Sequence, residues 1–416
     1  MFMEKTALTK QEICWILYDV GNSAFILLVS TIIPIYFNSL ASNAGLSEVD
    51  YLAYWGYAAS ISTILVALIG PVLGTLADTR GFKKPLFAIS MAIGGSGCWL
   101  LGFPSDWLLF LIVFVIAKAG YHSSLIFYDS MLVDITSQER LDQVSSHGYA
   151  WGYIGSCIPF VLSLILVLFH ESAGISMKTA MFLAFFLNGA WWFLCTIPLL
   201  KNYQQKYCVE LPEHPVKSSF LRLLKTLQDM KNHKSIFLYL LSFFFFIDGV
   251  YTIIEMATAY GSALGMDSSQ LLLALLVTQL VAFPCALLFS RLSGYYKTSQ
   301  LLKVCILAYT GISLFAVQLD KIWEFWLLAI FVGMFQGAIQ ALSRSYFAKI
   351  IPADKSGEYF GIYDICGKGA SFLGTTLVGL IAQLTGKMSM GVAMLPLLFL
   401  AGFVLFCRTE RMQGEI

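Results

Sequence analysis

Charge is what this sequence has least of. Asp, Glu, Lys and Arg make up 12% of its 416 residues, about half the share usual for a soluble domain, which excludes a solvated globular chain of this size. No phosphate loop of the G-x-x-x-x-G-K-(S/T) type occurs, which counts against a nucleotide-driven pump. The nine cysteines form no C-x-x-C pair and no cluster with histidine, so neither a disulfide framework, a metal site nor any other cofactor is expected. A short cleavable signal is lacking too: the first apolar run, from about Ile13, is too long for one and is expected to stay as a span. The net charge of +1 identifies no partner, and no nucleic acid is expected.

What is present is apolar sequence. Residues of the AVILMFWYC set reach 58%, and the mean hydropathy is +0.75. Runs of roughly 20 apolar residues recur, each long enough to cross a hydrocarbon core. Backbone polar groups in lipid must be satisfied internally, and the runs do not alternate as barrel strands do, so the spans are helices. We place twelve, at about 13–40, 51–77, 85–103, 107–133, 147–170, 178–200, 235–262, 268–292, 299–318, 322–350, 357–385 and 387–408. The expected fold is an all-α polytopic membrane protein with both termini on one side.

Charge bias then orients it. Of the 26 Lys and Arg, only Lys178, Lys321 and Lys387 fall in loops on the other face, and Lys118 and Lys368 lie inside helices. All the rest share the face of the termini, which makes that face cytoplasmic. From Gln11 to Thr79 there is no Lys or Arg, so the first outer loop, with Glu48 and Asp50, is purely acidic.

The one long connection, residues 201–234, divides an N-terminal half (1–200) from a C-terminal half (235–416). Within it Val216, Phe220, Leu223, Leu224, Leu227 and Met230 recur at helical spacing among Lys217, Arg222, Lys225 and Lys231. That pattern predicts an amphipathic helix on the membrane surface, or else a soluble connector helix. The halves echo each other: Tyr18-Asp19-Val20-Gly21 against Ile247-Asp248-Gly249, and Gly148-Tyr149-Ala150 against Gly361-Ile362-Tyr363. Parallel six-helix repeats of this kind are a transporter architecture.

The loop after the second span reads Gly74-Thr75-Leu76-Ala77-Asp78-Thr79-Arg80-Gly81-Phe82-Lys83-Lys84. This resembles the G-x-L-A-D-x-x-G-(R/K)-(R/K) signature of major facilitator transporters, and the resemblance implies that fold, with a loop that latches the halves in the outward-open state. Gly74 would permit close helix contact and Gly81 a turn with positive φ. Asp78 would face the positive end of a neighbouring helix and pair with Arg80. The second half has Arg291 at the place of Asp78, so no equivalent latch is expected there. Trp15-Ile16-Leu17-Tyr18-Asp19-Val20-Gly21-Asn22-Ser23-Ala24-Phe25 is similar to the opening of the vacuole-effluxer-like branch, which includes autophagy-related vacuolar amino-acid exporters. The segments 246–255, 333–345 and 357–368 also resemble that branch. Gly21 departs from it, since alanine is usual there, and would loosen the first helix.

Ionisable residues inside lipid are costly unless paired or wet, which makes them functional candidates. Lys118, His122 and Asp129 share one helix face by steps of four and seven; Asp248 and Glu255 share another; Asp364 and Lys368 form an i,i+4 pair. By depth, Glu255, Lys118 and Lys368 are expected to form a central cavity with His122, Asn22, Tyr251, Gln336 and Gln340 as polar neighbours. Glu255 is the expected proton carrier, and the two lysines would hold a substrate carboxylate. Asp19, Asp129, Asp248 and Asp364, nearer the cytoplasmic ends, are expected in gate or latch networks with Arg80, Arg140 and Arg344. Structural ion pairs between helices are the alternative for all of these.

The expected function is a small-solute permease, for an amino acid or similar metabolite, working by alternating access as a monomer in a bacterial cytoplasmic membrane. Two rivals stay open. One is a lipid or lysolipid flippase on the same fold; the other is an integral-membrane enzyme built on Asp129, Asp142 and His147.

Overall fold

The computed structural model describes residues 7–229, 233–263 and 265–414. It is helical throughout. The N-terminal half runs α1 (Lys10–Ser30), α2 (Ile32–Asn43), α3 (Glu48–Ala77), α4 (Lys83–Leu100), α5 (Trp107–Ser130), the single turn α6 (Leu132–Ile135), α7 (Leu141–Leu168) and α8 (Met177–Asn202). The linker carries α9 (Pro215–Asp229). The C-terminal half runs α10 (Lys234–Ala263), α11 (Ser268–Leu292), α12 (Thr298–Val317), α13 (Ile322–Ile350), α14 (Ser356–Thr385), the short α15 (Met388–Val392) and α16 (Leu395–Gly414).

Among the described residues, eleven helical segments are long and apolar enough to cross a membrane. The twelfth rod, α4, has 18 residues and is about 27 Å long. Its apolar character is diluted by Lys83 and Lys84 at its start and by Gly94, Gly95 and Gly97. Those glycines let it pack tightly: a Cβ on Gly94 would lie 2.5 Å from the Trp192 ring, and one on Gly97 would lie 2.6 Å from Ala117 Cβ. Small residues at such crossings replace the hydrophobic drive that is missing between helices in lipid. Gly21 acts in the same way. A methyl there would meet Cys195 Cβ at 2.8 Å, so the glycine brings α8 against α1 rather than loosening it.

The first span is broken where a continuous helix was expected. Thr31 leaves helical geometry, with φ −134° and ψ −75°, and Pro34 then falls in the first turn of α2, where its missing N–H is tolerated. Helix starts are capped as the sequence allows. Thr9 and Glu12 form a capping box on α1, and Asp267 with Gln270 forms one on α11. Gly81 takes φ +82° as the turn demands.

The halves meet along α3 against α14 and α7 against α11, and again where α13 reaches α7 and α14 reaches α5. The linker helix differs from its expected single apolar face. Ser219, Leu223 and Thr226 are buried against the protein, while Val216, Phe220, Leu224 and Leu227 point outward. Met230 and Lys231 lie outside the described residues.

Candidate functional site

The helix order brings the ends of α3, α5, α7, α13 and α14 together on the face of the termini, and there the halves are joined at three places. The first joint is Arg344. It projects from α13 into the N-terminal half, donating to Asp129 Oδ1 at 2.9 Å and to Ser145 through Nε and Nη2 at 3.0 and 3.1 Å. Asp19 Oδ2 lies 3.7 Å from Nη2. The guanidinium is boxed by aromatic rings, with centroids of Tyr149 at 4.5 Å, Trp15 at 4.6 Å and Tyr128 at 5.4 Å. Arginine suits such a place because its plane stacks while its fork donates. Gly148 makes room for it: a Cβ there would sit 2.8 Å from Asp19 Oδ2 and 3.1 Å from Arg344 Nη2. Asn22 donates to Asp19 Oδ1 at 3.4 Å, which places it in this joint rather than beside Lys118.

The second joint is Asp78. Its two oxygens accept the backbone N–H groups of Gly357 at 2.7 Å and Glu358 at 2.9 Å, in the first turn of α14. A carboxylate at a helix N-terminus is favoured both by the free amides and by the dipole. Burial pushes this carboxyl up to about 7, against the lowering influence of Lys83 and the two amides. Gly74 touches Gly357 so closely that a Cβ would lie 2.2 Å from its carbonyl oxygen. The expected partner Arg80 is not the one used. Arg80 is exposed, and fully buried Lys83 takes the place, 3.9 Å from Asp78 and 3.3 Å from Asp134, while donating to Ser356 Oγ at 2.9 Å. Residue 80 follows a helix end and turns toward water, whereas residue 83 opens α4 and points inward.

The third joint is centred on Asp142 of α7, which accepts from Thr298, Ser345 and Lys349, each at 2.6 Å. Arg291 shows no ion pair among the described residues, and the joint on this side is made by Asp142, a carboxylate of the opposite half.

Further from the termini, Lys118 and His122 on α5, Tyr251 and Glu255 on α10, and Asp364 and Lys368 on α14 are brought into one region. Lys368 is ion-paired with Asp364. Lys118 lies 5.8 Å from the Phe114 ring centroid, and the charges acting on it are those of Glu255 and Lys368, from the other half. The same two lysines act on His122, whose buried Nδ1 has no hydrogen-bond partner among the described residues. Gln340 donates across the halves to Tyr153 Oη at 3.3 Å and, within α13, to the Gln336 carbonyl at 3.2 Å.

Three expected gate residues are engaged elsewhere. Asp248 accepts from Gly374 N–H at 2.9 Å and from Thr252 at 3.3 Å, a joint inside the C-terminal half. Asp364 is held by its own helix neighbour Lys368. Arg140 binds Glu12 at 2.7 Å, where Thr136 also donates, so it ties α1 to the α6–α7 turn. Asp364 and Arg140 are thus neutralised by nearer partners, while Asp248 is held through Oδ1 alone and its buried Oδ2 has no hydrogen-bond partner among the described residues. Asp134, Lys349 and Tyr153 were not singled out from the sequence, whereas Lys83, Glu358 and Arg222 were read only as parts of longer segments and Asp142 only for the enzyme rival. Most of them sit near helix ends, where charge is ordinary, and only the pairing of distant segments distinguishes them. The enzyme rival has no constellation either: Asp129 and Asp142 are bound in separate joints, and the charges near His147 are Glu12 and Arg140.

The model of the family described as "Vacuole effluxer Atg22 like" matches residues 8–140 and 133–415. The chain belongs to that family. It is 42% identical over 402 residues to an uncharacterized MFS-type transporter, YxiO, of Bacillus subtilis, covering 95% of this chain and 94% of that one. It is 27% identical over 308 residues to autophagy-related protein 22-1 of Penicillium rubens, covering 68% of this chain but only 51% of the fungal protein. Among solved structures it resembles the human organic anion transporter MFSD10, with TM-score 0.74 and 14% identity over 96% of this chain and all of that one. A bacterial homologue of the iron transporter ferroportin in its outward-facing state gives TM-score 0.70, 14% identity and 97% and 98% coverage. This vacuole-effluxer-like protein is thus a multi-pass integral membrane protein with the major facilitator fold, of transporter and not enzyme class.

Proposed function

We propose that the protein is a secondary transporter of amino acids or similar small metabolites, working by alternating access and carrying protons on Glu255. The placement that supports this most is that of Lys118 on one half within electrostatic reach of Glu255 and Lys368 on the other, beyond the joint at Arg344. Charges placed between two rigid halves bind a solute only while the halves are correctly apposed, which is the requirement of alternating access. Two ammonium groups suit a solute carboxylate, and Glu255 suits either a solute amine or a proton. The joints at Arg344, Asp78 and Asp142 close the face of the termini, read from the basic loops as cytoplasmic, so the state is outward-facing. The membrane is then a bacterial plasma membrane, and the monomer suffices.

Uptake of labelled amino acids into proteoliposomes, with and without a pH gradient, tests the reading. Stimulation by the gradient that Glu255→Gln abolishes is the expected result. Failure with every amino acid, betaine and dipeptide would reject the substrate class. An open apolar groove lined by Ile253, Leu271, Phe325, Leu328 and Val332 next to Gln336 favours a second reading as a lipid or lysolipid exporter. Scrambling of labelled lysolipid in the same vesicles discriminates the two.

A further inference from the structure

The linker does more than connect the halves. Its first stretch is stitched to the N-terminal half. Tyr203 Oη and the N–H groups of Lys206 and Tyr207 all donate to Asp134, Val209 pairs with the backbone on both sides of Thr79, and Gln205 bonds to Ala77 and Gly81. The helix α9 that follows lies along α3. From its inner side Arg222 donates to the Thr75 carbonyl, and its Nε lies 3.3 Å from Glu358 Oε2. Thr75 belongs to the N-terminal half and Glu358, fully buried, to the C-terminal half. Arg222 therefore crosses the Asp78 joint from the outside.

The other faces of α9 are unused by the protein. Val216, Phe220, Leu224 and Leu227 fall on one stripe by steps of four, four and three, with exposures of 64%, 50%, 41% and 47%. Exposed Lys217 and Lys225 lie on the flank of that stripe away from the protein. Measured at 100° per residue, the apolar stripe, a lysine flank that also carries exposed Leu221, and the buried Ser219–Leu223–Thr226 flank follow one another around the helix. This is the arrangement of a helix lying in the headgroup layer at the edge of a bundle, with its apolar side down and its lysines among lipid phosphates. Between Pro215 and Gln228 there is no acidic residue, so the complementary surface is anionic.

We propose that α9 is a lipid-anchored bolt: an anionic bilayer surface holds the helix through Lys217, Lys225 and the apolar stripe, and Arg222 passes that hold to Glu358, securing the closed joint between the halves. Lipid charge thereby biases the transporter toward the state closed on the face of its termini. The proposal goes beyond the transport reading and needs no knowledge of the solute.

Amide hydrogen exchange of the full chain tests it, in nanodiscs of phosphatidylcholine alone or with phosphatidylglycerol. Two lysines at an anionic surface give a gain of roughly tenfold or more, so anionic lipid should slow exchange of residues 215–228 and of 356–361 by that order. Lys217→Gln with Lys225→Gln should erase both responses. Arg222→Gln should keep the first and lose the second, and Arg222→Lys, which retains the charge, should keep part of the second. Equal exchange of α9 in the two lipids would overturn the anchoring. A response of 356–361 that survives Arg222→Gln, or that is missing from the unaltered chain while α9 responds, would overturn the bolt.

Discussion

The Arg344 guanidinium of the C-terminal half donates to Asp129 of the N-terminal half at 2.9 Å, with its side chain only 3% exposed. Both carboxylates of this joint, Asp19 and Asp129, depend on that one cation. Removing one member of a buried ion pair costs about 3–5 kcal/mol, which is roughly two to four powers of ten in a population ratio. Arg344→Gln is therefore expected to open the face of the termini. Spin labels at exposed Lys84 and Asp354, in a chain whose native cysteines are replaced, should report a longer and broader distance. Arg344→Lys keeps the charge but loses the ring stacking and the fork, and should fall between the two. An unchanged distance in Arg344→Gln would show that the joint carries no weight.

Asp78 supplies a dependence on pH whose sign follows from its surroundings. In the open state the carboxyl meets water and titrates near its ordinary value of about 4; in the closed joint burial holds it near about 7. The closed state therefore binds the proton more firmly. Its advantage is full below the open-state value and is lost as pH rises through about 7. The 84–354 distance distribution should shift toward the closed population on going from pH 8 to pH 5.5. Asp78→Asn should flatten that response. A shift in the opposite direction would mean that the Gly357 and Glu358 amides hold the charged form more strongly than burial penalises it.

At Gly74 the neighbour is backbone, not a side chain that can rotate away. A methyl there would lie 2.2 Å from the Gly357 carbonyl oxygen, and a Cβ on Gly357 would in turn lie 2.3 Å from that of Gly74. Overpacking of this kind costs about 1–3 kcal/mol. Gly74→Ala should push α3 and α14 apart, weakening the closed state without unfolding either half. Melting in detergent close to that of the unaltered chain, combined with a longer 84–354 distance, is the expected pair of results.

The sequence discloses most of this fold because each span is a statement about a single stretch of chain. Length and apolarity are local, and so is the Asp78 loop, whose glycines and acid have fixed spacing. Where local signals weaken the reading slips, as at Thr31, where one span becomes two helices. The joints are another matter. Nothing near Lys83 says that it is buried while Arg80 is not, since that depends on where α4 begins. Nothing near Glu358 says that Arg222, on a separate linker, will meet it. Asp248 and Asp364 look alike in the sequence, yet one caps a contact inside its own half and the other is neutralised by Lys368 one turn away. Pairing between distant segments is decided by packing, and a list of intramembrane charges cannot reveal it.

Lys368 and Asp364 allow a structural pair to be separated from a substrate site. Both lie deep in α14 and bind each other; removing either alone leaves a charge with no partner and should destabilise the chain by about 3–5 kcal/mol. Removing both, in Asp364→Asn with Lys368→Gln, should restore much of that stability, because two neutral amides can still share a hydrogen bond. The coupling energy from such a cycle measures the structural share. If Lys368 also holds a solute carboxylate beside Lys118, the double variant should melt nearly as the unaltered chain does while its uptake stays lost. Recovery of uptake together with stability would confine Lys368 to an internal ion pair and leave Lys118 as the cation facing Glu255.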